Sequence, residues 1–100
     1  MRHYETLILF SPDLNTEERE NILEEVSKVV RSESGQDPAL DDWGMRQLAY
    51  PVRKYARGHY VRVEFPSDGG VIPEIERKLR IYEGVLKFMT VKVAEEYQAA

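Results

Sequence analysis

His59-Tyr60-Val61-Arg62-Val63-Glu64-Phe65 sets His, Val, Val and Phe against Tyr, Arg and Glu in strict alternation. A period of two places those sets on opposite faces, so the segment reads as a β-strand with one buried side. A second pattern follows the helical period. Ile22, Leu23, Val26, Val29 and Val30 form one apolar stripe, and such a stripe faces a core when it is wound at 3.6 residues per turn. Asn15 followed by Glu18 offers a capping box at the start, and Gly35 suits the left-handed position after the end. A helix is predicted over 16–34.

The other segments are read in the same way. Residues 4–10, YETLILF, are rich in β-formers and close on Ser11-Pro12-Asp13, so they form a first strand. Residues 40–52 show no clean period, with Gly44 interrupting the apolar positions; they are taken as a strand that lies at a sheet edge, because Pro51 has no N–H to give to a ladder. Residues 53–58 are assigned to the loop joining it to the alternating strand. Val71, Ile75, Leu79 and Tyr82 recur at helical spacing over roughly 70–81, with Pro73 in the first turn. Residues 85–93 read as a last strand. The order β-α-β-β-α-β is the split βαβ arrangement. It implies an α+β, ferredoxin-like domain over 1–94, with a four-stranded antiparallel sheet, two helices on one face and a short C-terminal tail over 95–100. The first strand carries Leu7 and Leu9 on one side and Thr6, Ile8 and Phe10 on the other, so something apolar is expected against the open sheet face as well.

One hundred residues suffice for a single core. No apolar run approaches the roughly 18 residues of a membrane span, and the opening MRHYE has no signal-peptide character; the expected compartment is the cytoplasm. The lack of cysteine removes disulfides, thiolate nucleophiles and Cys-based zinc sites from consideration. Net charge is −4, which taken alone argues against a nucleic-acid binder. Its distribution argues the other way. Acids crowd residues 13–42, whereas residues 43–63 hold Arg46, Arg53, Lys54, Arg57 and Arg62 and no acid, and residues 85–93 hold Lys87 and Lys92 and no acid. An acidic protein can therefore present a positive surface.

Catalytic signatures are lacking. His3 and His59 do not stand in a metal-ligand spacing and read as strand residues with partly buried rings. There is no phosphate-binding glycine loop and no nucleophile elbow. The paired acids Glu17-Glu18, Glu24-Glu25 and Asp41-Asp42 read as solvated faces. Arg57-Gly58-His59-Tyr60-Val61 starts like the third strand of an RNA-recognition motif, but His stands where the first stacking aromatic belongs and the later aromatic positions are not met. An acylphosphatase-like site is excluded because Ser11-Pro12-Asp13-Leu14-Asn15 has neither the glycine nor the arginine needed to cradle an anion.

The segment Asp42-Trp43-Gly44-Met45-Arg46-Gln47-Leu48-Ala49-Tyr50-Pro51-Val52-Arg53-Lys54, with the opening Met1-Arg2-His3-Tyr4-Glu5 and the strand Gly58-His59-Tyr60-Val61, resembles the family of bacterial small-subunit ribosomal protein six. The resemblance covers nearly the whole chain, and RQLAYPV carries most of its specificity. It implies a non-enzymatic protein without cofactor or metal, which binds the central domain of small-subunit ribosomal RNA as a pair with small-subunit ribosomal protein eighteen. Carried over residue by residue, it places RNA contacts at Arg2, Tyr4 and Lys54, with Lys87 and Lys92 matching in charge and place. It puts the protein partner along Arg46, Gln47, Leu48, Ala49, Tyr50 and Pro51. Against these stand plainer readings: Leu48 and Tyr50 as core residues, and the cations as ordinary solvated side chains. The net negative charge implies that the partner supplies much of the positive surface. The alternative function is a ferredoxin-like oligomerising or ligand-sensing module that uses its open sheet face.

Overall fold

A computed structural model describes residues 1–97. The chain runs β1 (Arg2–Phe10), α1 (Thr16–Ser34), β2 (Ala39–Val52), β3 (Tyr55–Ser67), α2 (Ile72–Arg80) and β4 (Val85–Ala94). The strands form one antiparallel sheet in the order β2-β3-β1-β4, with the helices on one face. This is the expected ferredoxin-like arrangement, and β2 lies at an edge as Pro51 requires.

Local chemistry accounts for the helix ends. Glu18 N donates to Asn15 Oδ1 at 2.8 Å and Asn15 N donates to Glu18 Oε1 at 2.9 Å, closing the capping box. Gly35 ends α1 at φ 72°, a conformation that glycine adopts without steric penalty. Helix α2 begins with Pro73 in its first turn, where the missing N–H has no partner to lose.

The core lies between the helices and one sheet face. Ile8 and Phe10 of β1, Val61, Val63 and Phe65 of β3, and Val26, Val30, Ile75 and Leu79 of the helices are almost fully buried. The alternation in β3 is seen directly: residues 59, 61, 63 and 65 are buried while 60, 62 and 64 are partly exposed. Thr6 is buried beside them and its hydroxyl meets that of Thr90 at 2.8 Å, which satisfies both polar groups. The opposite sheet face carries Leu7, Leu9, Tyr60 and Met89, and Leu9 is only 1% exposed.

The connection between β2 and β3 departs from the expected six-residue loop over 53–58. Tyr55 already pairs with Val52, leaving Arg53 and Lys54 as a two-residue turn. β1 pairs with β3 only as far as Phe10 and His59, so residues 46–58 form a hairpin that overhangs the sheet. Two register shifts in β2 explain why it shows no clean period. One lies between Asp42 and Gly44, where Gly44 takes φ 78°; in the other, residues 48–51 stand opposite Ala56 alone.

Candidate nucleic-acid interface

The hairpin is placed by packing at its base. Gly58 faces Leu9, and a Cβ there would stand 2.5 Å from Leu9 Cδ1 and 3.0 Å from the Phe10 carbonyl oxygen, so only glycine allows β3 to cross β1 this closely. Beyond it, the Leu48-Ala49-Tyr50-Pro51 bulge bends the ribbon. Tyr50 reaches Lys87 on the opposite edge strand, where Lys87 Nζ donates to Tyr50 Oη at 3.2 Å and stands 5.5 Å from the ring centroid. Tyr55 Oη donates to Asp13 Oδ2 at 2.7 Å, and Arg53 Nη1 donates to the Glu83 carbonyl oxygen at 3.4 Å. The hairpin therefore curls around the end of the sheet where β1 stops and β4 begins.

The turn is strained. Arg53 and Lys54 take φ 49° and 72°, the pair of positive values for which hairpins normally use Asn-Gly. A non-glycine residue held there costs on the order of 1 kcal/mol or more.

Ion pairing sorts the cations sharply. Eight of the 14 Lys and Arg side chains have a carboxylate within reach: Arg2, Lys28, Arg31, Arg62, Arg77, Lys78, Arg80 and Lys92. Among the described residues the remaining six, Arg19, Arg46, Arg53, Lys54, Arg57 and Lys87, have none, and all but Arg19 lie on the hairpin or against it. Arg62 leaves the basic island that the sequence suggested, because Glu5 and Asp41 on the neighbouring strands and Glu64 on its own strand surround it at 3.3, 3.3 and 2.6 Å.

The five RNA candidates fall into two groups. Lys54 and Lys87 belong to the hairpin end. Arg2, Tyr4 and Lys92 lie towards the other end of β1; Lys92 pairs with Tyr4 and Lys87 with Leu9, about 17 Å apart at strand rise. There Glu95 takes Lys92 Nζ at 2.5 Å and Arg2 Nε at 3.6 Å, and Arg2 Nη1 also donates to the Asp68 carbonyl oxygen at 3.1 Å. The Glu95 carboxyl is held below the usual carboxylate range, chiefly by the Lys92 hydrogen bond. Tyr4 is half-buried on the helix side, its ring stacked 6.1 Å from that of Phe65. Tyr97 packs edge-on against His3 at 5.0 Å, and its N–H donates to the Met1 carbonyl oxygen at 2.8 Å.

The partner candidates lie along the outer strand and its bulge. Tyr50 is 62% exposed, Arg46, Gln47, Ala49 and Pro51 are exposed, and Leu48 is half-buried. Tyr50 is thus not a core residue. Next to them Trp43 is turned towards Tyr60, with ring centroids 6.2 Å apart, and its Nε1 donates to Asp41 Oδ2 at 2.9 Å. Asp42 fixes the bulge beneath it: Oδ1 accepts from Gly44 N at 2.8 Å and lies 2.5 Å from His59 Nε2. Burial pushes the Asp42 carboxyl up, but the bonds from His59 and Gly44 and the His59 charge outweigh it and hold the group low. Both histidines are accounted for structurally, since His3 Nε2 lies 3.0 Å from Glu64 Oε2.

The model of the ribosomal protein S6 family matches residues 3–92. The chain belongs to the ribosomal protein S6 family. It is similar to the small ribosomal subunit protein bS6 of Oleidesulfovibrio alaskensis, at 49% identity over 100 residues that cover 100% of this chain and 99% of that one. Its likeness to the bS6 protein of Nitratidesulfovibrio vulgaris strain Miyazaki F is 50% over 95 residues, 95% of this chain and 94% of the relative. The crystal structure of 30S ribosomal protein S6 from Thermotoga maritima superposes with a TM-score of 0.81 at 29% identity, over 91% of this chain and 86% of that one. The family is structural and non-enzymatic, which agrees with the lack of catalytic signatures.

Arg53 and Arg57, which the sequence reading did not name among the RNA contacts, are exposed at the same end as Lys54 and Lys87 and lie in the acid-free stretch 43–63.

Proposed function

We propose that the chain acts in the cytoplasm as a structural protein of the small ribosomal subunit, binding the central domain of small-subunit ribosomal RNA together with small-subunit ribosomal protein eighteen. Family membership supports the ribosomal role. The observation that carries RNA binding is the concentration of cations without carboxylate partners at the hairpin end of a chain whose net charge is −4. Phosphates are neutralised by long cationic side chains free of competing acids. In this reading Lys54 and Lys87 make the primary phosphate contacts, while Arg2, Tyr4 and Lys92 contribute once RNA displaces Glu95. The edge strand from Arg46 to Pro51 receives the protein partner. It has an unpaired outer ladder, a bulge and the exposed aromatic Tyr50, features that suit a protein contact.

The test is binding to a central-domain RNA fragment, with and without protein eighteen, across a salt series. Tight binding that needs the partner and falls linearly in log–log form with salt is the expected result. Equal affinity with and without protein eighteen would remove the partnership. No binding in either condition, together with a dimer mass for the isolated chain, would favour an oligomerising module instead.

A further inference from the structure

We propose that Arg53 and Arg57 join Lys54 as phosphate-binding groups on both sides of the hairpin tip, and that the left-handed Arg53-Lys54 turn is retained for this contact at the expense of stability. The ligand is the backbone of base-paired RNA, so the proposal deepens the reading above and rests on it.

The first observation is the strain itself. A two-residue hairpin with both φ values positive is served best by Asn-Gly, and Arg53-Lys54 has neither the small side chain nor the missing Cβ that relieves such a turn. Residues held in sparsely populated conformations persist where their surroundings fix them and concentrate at functional sites. The surroundings do fix this turn, through Tyr55 on Asp13 and Arg53 on the Glu83 carbonyl.

The second observation is the disposition of charge. Arg57 pairs with Gln47 and shares the face of His59 and Val61, whereas Arg46 pairs with Gly58 on the face of Tyr60. Arg53 and Lys54 close the tip between them. Cations thus occupy both faces and the end of a two-stranded ribbon, with no acid in residues 43–63. A flat protein surface meets one face of a ribbon. The walls of an RNA groove or helical junction present phosphates to both, and paired RNA is recognised largely through such shape and backbone contacts. Base-paired RNA is therefore the occupant that fits.

The test compares the wild-type chain with Arg53→Asn/Lys54→Gly and with Arg57→Gln, each with protein eighteen. Two probes are used: the central-domain fragment, and an unrelated RNA duplex at low salt. The double substitution is expected to raise Tm by about 4–8 °C, the response of a small domain to modest strain relief. It should also lower the log Kd against log salt slope by about two, and Arg57→Gln should lower it by about one with Tm unchanged. A higher Tm with unchanged slope and affinity would overturn the proposal, as would a double variant that is less stable than wild type. Loss of association with protein eighteen while the salt slope stays the same would assign the tip to an acidic protein surface and likewise overturn it. If wild type ignores the central-domain fragment but binds the duplex with a slope that depends on these residues, the ribosomal target falls and the tip contact stands. Binding to neither probe overturns both.

Discussion

At one end of β1, Arg2 and Lys92 stand beside Glu95; at the other, Lys54, Arg57 and Lys87 stand beside no carboxylate among the described residues. Both ends carry cations of the same kind on the same sheet, and they differ in whether an acid has already neutralised them. Lys92 at one end and Lys87 at the other are about 17 Å apart by strand rise, about twice the roughly 8 Å screening length at physiological salt, so the two ends present largely separate fields. The difference teaches that a cation count along the chain measures the potential for binding phosphate, whereas the pairing in the fold decides how much of it is free. RNA approaching the Arg2 end must first displace Glu95. At the hairpin end it would displace water and neutral partners, the Tyr50 hydroxyl at Lys87 and the Glu83 carbonyl at Arg53, rather than a carboxylate.

Charge reversal should break this comparison most strongly. Lys54→Glu/Arg57→Glu removes two free cations and adds two repulsive charges. With protein eighteen present, affinity for the central-domain fragment is expected to fall on the order of 100-fold, about tenfold for each phosphate left without its cation. Arg2→Glu/Lys92→Glu should lower it about tenfold or less in the same filter-binding measurement, because those cations were already partly neutralised. Equal effects of the two double variants would mean that pairing with Glu95 does not matter.

A second substitution tests what holds the hairpin in place. Gly58→Ala would bring a methyl group against Leu9 and the Phe10 carbonyl. Forcing an extra carbon into such a packed position costs about 1–3 kcal/mol, measurable as a lower urea midpoint at unchanged slope. RNA affinity should fall with it as the tip is displaced. A change of less than about 0.5 kcal/mol, typical of exposed sites, would show that the ribbon shifts freely and that its position is not set at Gly58.

How much of this could be read in the sequence depends on whether the deciding contact is local. The α1 capping box is local, and Asn15 and Glu18 announced it. The buried face of β3 is local too, because strict alternation from His59 to Phe65 leaves only one choice of side. The turn at Arg53-Lys54 was not legible, since neither residue carries a turn signal and its positive φ values are imposed by contacts to Asp13 and Glu83, both distant in sequence. The shape of β2 was hidden by its two register shifts. Arg62 looked free because the acids around it include Glu5 and Asp41, on other strands. At the Arg2 end, Glu95 neutralises a residue 93 positions earlier, a pairing that no local pattern reveals.

The smallest expected effect sharpens the comparison from the neutralised end. Glu95→Gln keeps the size of the side chain and removes the charge that Arg2 and Lys92 share, so the Arg2 end should come to resemble the hairpin end. Affinity for the RNA fragment is expected to rise about two- to threefold, the scale of an exposed ion pair, with a slightly steeper salt slope. Stability should respond in the opposite sense and with a defined pH dependence. Because the Glu95 carboxyl is held below its ordinary value, chiefly by the Lys92 hydrogen bond, the pair stabilises the fold above the ordinary glutamate pKa of about 4.3 and that contribution is lost as pH falls through the lowered value. Denaturation of wild type and Glu95→Gln should therefore differ slightly at pH 7 and converge in strong acid. A difference that stayed constant down to strong acid would trace the effect of Glu95 to packing rather than charge, and the two ends would then differ for a reason other than pairing.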